Sequence, residues 1–145
     1  MYLAKDVEKK INSIKEKLPN TLINSLGIEF QSIKKDELIA TMPVDNRTKQ
    51  PFGILHGGAN VALAETLASI GGWLNVGDDV EGKKSIVVGL EINANHIRAI
   101  TTGHVTAKAT PIHIGRSTQI WEIKISNEED KLVCISRCSL FCKKT

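Results

Sequence analysis

The chain has no long block of one charge. Its 19 Lys and Arg against 16 Asp and Glu leave a net charge of +3. The lysines between Lys5 and Lys17 alternate with Asp6, Glu8 and Glu16, as on a solvated helix face. A nucleic-acid partner is therefore not expected, although an anionic small molecule would suit so mild a basic balance. Aromatic residues are few, with three Phe, two Trp and one Tyr in 145 residues. The rest of the composition is that of an ordinary water-soluble globular chain. No internal repeat and no low-complexity segment occurs. The N-terminus, Met1-Tyr2-Leu3-Ala4-Lys5-Asp6, turns charged too early for a secretory signal peptide. One apolar run, Gly57 to Gly77, has the length of a membrane span. It carries glycines, two asparagines and Glu65, which fits a buried central helix and not a bilayer segment.

Cysteine is also scarce. Cys134, Cys138 and Cys142 lie four apart in a stretch rich in β-branched residues, read as a strand. Residues four apart on a strand are separated by about 13 Å, too far to share one metal ion. The expectation is three reduced cysteines along one strand face, no metal site and a cytoplasmic location.

A chain of this length fits one domain, residues 1–145, with a substantial core. Leu3, Val7, Ile11, Ile14 and Leu18 have helical spacing, so residues 1–18 read as an N-terminal helical extension, stopped by Pro19. Thr21 to Leu26 is a short helical turn ending at Gly27. Ile28–Ile33 and Leu38–Val44 form a first hairpin, and Asp45-Asn46-Arg47 a turn. The long helix follows, from Gly57 to about Val76-Gly77, and then a charged loop from Asp78 to Lys84. Four strands come last: Ser85–Arg98, with Leu90, Ile92 and Ala94 on one face; Gly103–Ile114; Ser117–Ser126; and Lys131–Cys142. The links at Thr101-Thr102-Gly103, His113-Ile114-Gly115 and Asn127 to Asp130 are short enough for antiparallel hairpins. No crossover helices are available for parallel pairing. The fold class is α+β: one apolar helix against an antiparallel sheet.

The chemistry concentrates in Gln50-Pro51-Phe52-Gly53-Ile54-Leu55-His56-Gly57-Gly58 and the helix it enters. Glycines at a helix start allow close approach to unpaired N–H groups at the positive end of the dipole. Such groups hold a phosphate or a developing oxyanion, or simply form a tight turn. No Gly-Lys-Ser/Thr follows and no βαβ unit surrounds them, so a nucleotide loop is the weaker option. Glu65 is the one charged residue between Gly57 and Gly77. Either it is satisfied by a hydrogen bond or solvent, or it serves as a general base or nucleophile. Ser69 lies one turn on, on the same face. Gly57 and Glu65 are eight residues apart, about 12 Å along a helix. A reacting carbonyl must sit about 3 Å from both oxyanion donor and nucleophile. Two antiparallel helices across a two-fold axis satisfy that condition, which predicts a site shared across a dimer.

The Gln50 to Gly58 motif, with Ala64-Glu65 and Ser69, resembles the hotdog-fold thioesterases of the phenylacetate-pathway type. The resemblance is to the branch of 1,4-dihydroxy-2-naphthoyl-CoA hydrolase and related aroyl-CoA thioesterases. Val88-Gly89-Leu90-Glu91-Ile92-Asn93-Ala94-Asn95-His96-Ile97-Arg98 and Pro111-Ile112-His113-Ile114-Gly115-Arg116 match that branch too. The likeness runs from about Gly27 to Phe141. It implies a long helix wrapped by an antiparallel sheet, in homodimers and usually homotetramers. It implies hydrolysis of an acyl-CoA thioester, with coenzyme A as part of the substrate and no separate cofactor. By that resemblance Glu65 is the nucleophile or general base, the Gly57 N–H polarises the carbonyl, Gln50 and His56 orient the carbonyl or the attacking group, and Ser69 helps position water or the carboxylate. Coenzyme A would be bound by Asn95, His96 and Arg98 and by His113, Gly115, Arg116 and Ser117. The competing classes are a hotdog enoyl-thioester hydratase or dehydratase, and a non-catalytic acyl-CoA binder.

Overall fold

The structure, a computed structural model, describes residues 1–77 and 84–144. Its centre is α3, Gly57–Leu74. Small apolar residues make this segment helical and let it approach a sheet closely. Ala59, Asn60, Leu63, Ala64, Leu67, Ala68, Gly71, Gly72 and Leu74 are its buried face, at the three-and-four spacing of a helix lying on a core. The helix stops at Leu74, slightly before the expected end. There the Asn75 N–H donates to the Gly72 carbonyl (3.0 Å), and the Asn75 side-chain amide donates to the Gly71 carbonyl (2.8 Å). The side chain replaces the next helical N–H, which closes the helix.

Around α3 lie β1 (Tyr2–Leu3), β2 (Glu29–Ile33), β3 (Leu38–Pro43), β4 (Ser85–His96), β5 (His104–Ile114), β6 (Thr118–Ser126) and β7 (Leu132–Lys144). They form one sheet in the order β1-β2-β3-β5-β6-β7-β4. Every pairing is antiparallel except β1 with β2. The expected α+β architecture is thus present. Inward-facing Leu38, Ala40, Met42, Val105, Ala107, Ala109, Trp121, Ile123 and Ile125 are fully buried and meet the buried face of α3. This alternation is the period-2 pattern of strands covered on one face.

Three expectations are corrected. The N-terminal helix is regular only over α1, Glu8–Ile14, while Tyr2 and Leu3 pair with Ser32 and Ile33 as a short strand. Residues Lys15–Asn20 tighten into a 3-10 helix containing Pro19, because proline has no N–H to donate and its ring crowds the carbonyl four residues back. A second short helix, α2, follows at Leu22–Ser25. The hairpin expected at Thr101-Thr102-Gly103 does not form. β4 pairs with β7 at the sheet edge and β5 pairs with β3 and β6, so the chain between them crosses over. Leu90 does not share the inward face of Ile92 and Ala94. The register shifts between Gly89 and Glu91, and Leu90 is left 60% exposed, as the extra residue of a bulge is. The expected charged loop, apart from Lys84, falls at residues 78–83, outside the described residues.

The three cysteines lie along one face of β7, as the strand reading expected. Cys134, Cys138 and Cys142 are free, buried and on the helix-facing side of β7. Burial pushes the Cys138 thiol up to about 12, and the nearby Glu65 and Glu91 carboxylates add to the effect. The N-terminal segment meets the end of α3 through Lys10. Its ammonium donates to the Trp73 carbonyl (2.7 Å) and to the Gly77 carbonyl, and lies 5.0 Å from the Trp73 ring centre. A cation there complements the negative end of the helix dipole. No helix among the described residues is long and apolar enough to cross a membrane.

Candidate active site

The loop before α3 is a short ladder bonded to itself. The His56 N–H donates to the Thr48 carbonyl (2.8 Å), and the Gln50 N–H to the Ile54 carbonyl (2.9 Å). Gly53, at φ +83°, turns the chain between these rungs, a conformation natural to glycine. Thr48 is buried and its hydroxyl donates to the Pro43 carbonyl (2.7 Å), tying the loop to the end of β3. The Leu55 N–H reaches the Ile100 carbonyl (2.8 Å) on the other side. Gln50 and His56 are therefore held on a rigid turn. Gln50 accepts the Phe52 N–H on its side-chain oxygen, which leaves its amide N–H groups to donate elsewhere.

His56 caps α3, its Nδ1 accepting the Gly58 N–H (2.7 Å). Acceptance at Nδ1 places the proton of the neutral ring on Nε2. The Ala59 and Asn60 N–H groups both turn to the His56 carbonyl (3.0 and 3.4 Å). Among the described residues nothing accepts the Gly57 N–H. The helix start thus keeps one free donor, at the position expected to bind an oxyanion. His96, from β4, lies over Gly57: a β-carbon on Gly57 would come within 2.9 Å of the His96 Nε2. The expected role for His96 was coenzyme A contact; the structure sets its ring against Gly57.

Two turns along α3, Glu65 and Ser69 flank the buried face of the helix. Both are half-buried. They line a cavity of about 380 Å³ with Ala62, Thr66, Ile70 and, from α2, Leu22 and Ile23. No hydrogen bond joins Ser69 to the Glu65 carboxylate, and none holds that carboxylate to any other described side chain or backbone group. A neighbouring cavity of about 280 Å³ shares Leu22 and Ala62 and reaches His56 and Gly58. Sequence patterning did not reveal α2 as a wall of this groove, because the contact between residues 22–26 and the helix is purely tertiary.

The remaining expected residues divide between the two ends of α3. Asn95 and His96 are successive residues of β4, so they face opposite sides of the sheet. Arg98 lies just past the strand, and its N–H donates to the Val133 carbonyl (3.2 Å). Gly115, Arg116 and Ser117 sit at the far end, lining a cavity of about 850 Å³ beside Asn75, Val76 and Gly77. His113 precedes them and packs against Gly115. Lys35 and Lys143 line this cavity too, a pair of cations that no motif marked. Three cations and a serine suit a phosphorylated ligand. No cluster of three or more His, Cys, Asp or Glu with metal-binding geometry is found among the described residues.

A long helix cradled by this largely antiparallel sheet is the hotdog architecture; among the described residues, an N–H without an acceptor opens that helix and a carboxylate without a hydrogen bond lies two turns on. The chain belongs to the thioesterase superfamily, whose family model matches residues 52–134. Within it, the chain is similar to the 1,4-dihydroxy-2-naphthoyl-CoA hydrolase of Listeria monocytogenes, with 50% identity over 123 residues, 85% of this chain and 96% of that one. It is also 50% identical over 119 residues to the proofreading thioesterase EntH of Cronobacter turicensis, covering 82% and 83% of the two chains. The crystal structure of a Haemophilus influenzae thioesterase matches with a TM-score of 0.81 at 50% identity, covering 91% of this chain and 89% of that one.

Proposed function

We propose that this thioesterase hydrolyses acyl-CoA thioesters to the free acid and coenzyme A, taking aromatic or medium-chain acyl groups, with 1,4-dihydroxy-2-naphthoyl-CoA the first candidate. The named substrate of the Listeria relative supports the acyl group. The observation that carries the mechanism is the pair of unengaged groups on α3: the Gly57 N–H and the Glu65 carboxylate. The Gly57 N–H polarises the thioester carbonyl, helped by the Gln50 amide and the His56 Nε2–H. Glu65 takes a proton from water as the water attacks, and returns it to the departing thiolate when the C–S bond breaks. In the covalent variant Glu65 attacks directly and coenzyme A leaves as thiolate; water then hydrolyses the resulting anhydride, freeing the acid and the Glu65 carboxylate, and one of its protons goes to the thiolate. Ser69 positions the water or the carboxylate. Coenzyme A is substrate, and the reaction needs no further cofactor.

The active unit in this reading is a homodimer. Eight residues of helix separate Gly57 from Glu65 by about 12 Å, so each carboxylate serves the helix start of the neighbouring subunit. The same antiparallel arrangement draws residues 115–117 of one subunit toward Asn95, His96 and Arg98 of the other. β4 supports it: it ends the sheet, and Ile86, Val88 and Leu90 on it are exposed. A bare apolar edge strand calls for a partner. Two dimers complete a homotetramer in the cytoplasm, the compartment that keeps the three buried thiols reduced.

The test mixes two inactive proteins, Gln50→Ala and Glu65→Ala, and follows thiol release from benzoyl, phenylacetyl, hydroxynaphthoyl and straight-chain CoA thioesters. Random exchange makes half the dimers hybrid with one intact site each, so about a quarter of wild-type activity returns. No recovery after demonstrated exchange refutes the shared site. No thiol release by wild type from any thioester refutes the reaction.

A further inference from the structure

The Glu65 carboxylate needs something to hold it, since it makes no hydrogen bond and no ion pair among the described residues. What it meets is the backbone of β4. A β-carbon built on Gly89 would run into the Glu65 Oε1, and its Cδ and Cγ would follow at 3.3 and 3.9 Å. These three atoms of Glu65 are the nearest neighbours such a carbon would have. Gly89 pairs with Leu140 on the helix-facing side of β4, just before the bulge at Leu90. It is not among the glycines with positive φ. Any L-residue could adopt its backbone, so what glycine supplies there is space.

We propose that Gly89 is a positioning residue for catalysis: the side-chain space it leaves on β4 is the seat that orients the Glu65 carboxylate. This rests on the reading of Glu65 as the catalytic carboxylate. A seat made by shape has a chemical consequence. A carboxylate oriented by hydrogen bonds spends its lone pairs on the protein. Glu65 keeps both oxygens for water or for the thioester carbon, while its direction is fixed by packing. Other glycines show the contrast. A β-carbon on Gly71 would strike the ring of Trp121, and one on Gly72 would strike Leu140. Both neighbours are fully buried core side chains, so those glycines serve packing. At Gly89 the obstructed group is the free end of a flexible side chain, which can move aside without disturbing the fold.

Gly89→Ala is therefore expected to fold normally, with a thermal midpoint within about 2 °C of wild type. It should lose kcat on the order of 100-fold, the effect of a displacement of about 1 Å at a reacting group, with KM nearly unchanged. The decisive measurement is a double-mutant cycle with Glu65→Gln. If Gly89 acts through Glu65, adding Gly89→Ala to Glu65→Gln changes the residual rate by no more than about twofold. Wild-type kcat in Gly89→Ala, with Glu65→Gln inactive, overturns the seat and leaves Glu65 in the mechanism. A loss that repeats in full in the Glu65→Gln background overturns it too, as does a Gly89→Ala protein that cannot fold. Full activity in Glu65→Gln alone removes the reading of Glu65 itself.

Discussion

Replacing Gln119 by leucine tests how α3 is fastened to the sheet. Gln119 is fully buried on β6. Its amide donates to the Gly72 carbonyl at 3.1 Å and its oxygen accepts the Trp121 indole N–H at 2.9 Å. Leucine has a similar volume and no polar atoms, so packing changes little. The buried indole N–H is then left without an acceptor, which costs about 1–3 kcal/mol. The Gly72 carbonyl loses less, because it still accepts the Asn75 N–H at 3.0 Å. The apolar side chain recovers about 1 kcal/mol that the amide spent on desolvation. The net expectation is about 2 kcal/mol of destabilisation, or roughly 4–8 °C in thermal midpoint for a chain of this size. Calorimetry of wild type, Gln119→Leu, Trp121→Phe and the double variant measures it as a cycle. Phenylalanine removes the indole N–H, so Gln119→Leu should cost distinctly less in the Trp121→Phe background. Equal costs in both backgrounds would refute the account.

Two further outcomes follow from the same geometry. Glu65→Gln should fold at least as stably as wild type, since it removes a charge that has no partner among the described residues, and lose hydrolysis by about 100-fold or more; Ser69→Ala should be milder, and turnover assays that rank Ser69→Ala as the more damaging variant would reverse their roles. In alkali, the raised Cys138 thiol sets the sign: its folded value of about 12 lies above its ordinary value of 9.0, so its contribution is complete below pH 9 and is lost as pH climbs toward 12, the unfolded chain ionising first. Cys134 and Cys142 are pushed up by burial in the same direction. Urea titrations between pH 8 and 11 should show stability falling faster in wild type than in Cys138→Ala, and parallel curves would contradict the assignment.

Much of this molecule is legible in the chain alone, and the reason is that the legible parts are local. The apolar run from Gly57 encodes a buried helix through spacing that a few turns suffice to display. Strand alternation encodes which side of β5, β6 and β7 meets the core. The Gln50 to Ser69 stretch carries the groups of the candidate site in one segment, and its pattern names the family. Spacing along α3 by itself argues that Gly57 and Glu65 of one chain cannot serve one carbonyl.

Tertiary structure decides what depends on residues far apart. β4 and β5 follow one another in the chain, yet β4 lies beyond β7, because pairing partners are chosen by how the whole sheet wraps α3 and not by link length. The bulge at Leu90 reverses which residues of β4 face inward, and one extra residue leaves no periodic trace. Lys10 reaches carbonyls more than 60 positions away. His96 comes to rest over Gly57, and α2 becomes a wall of the groove beside Glu65. In the sequence Gly89 is an interruption in a strand. Only the approach of α3 to β4 gives its missing side chain a purpose, because a vacancy acquires meaning from what packs into it.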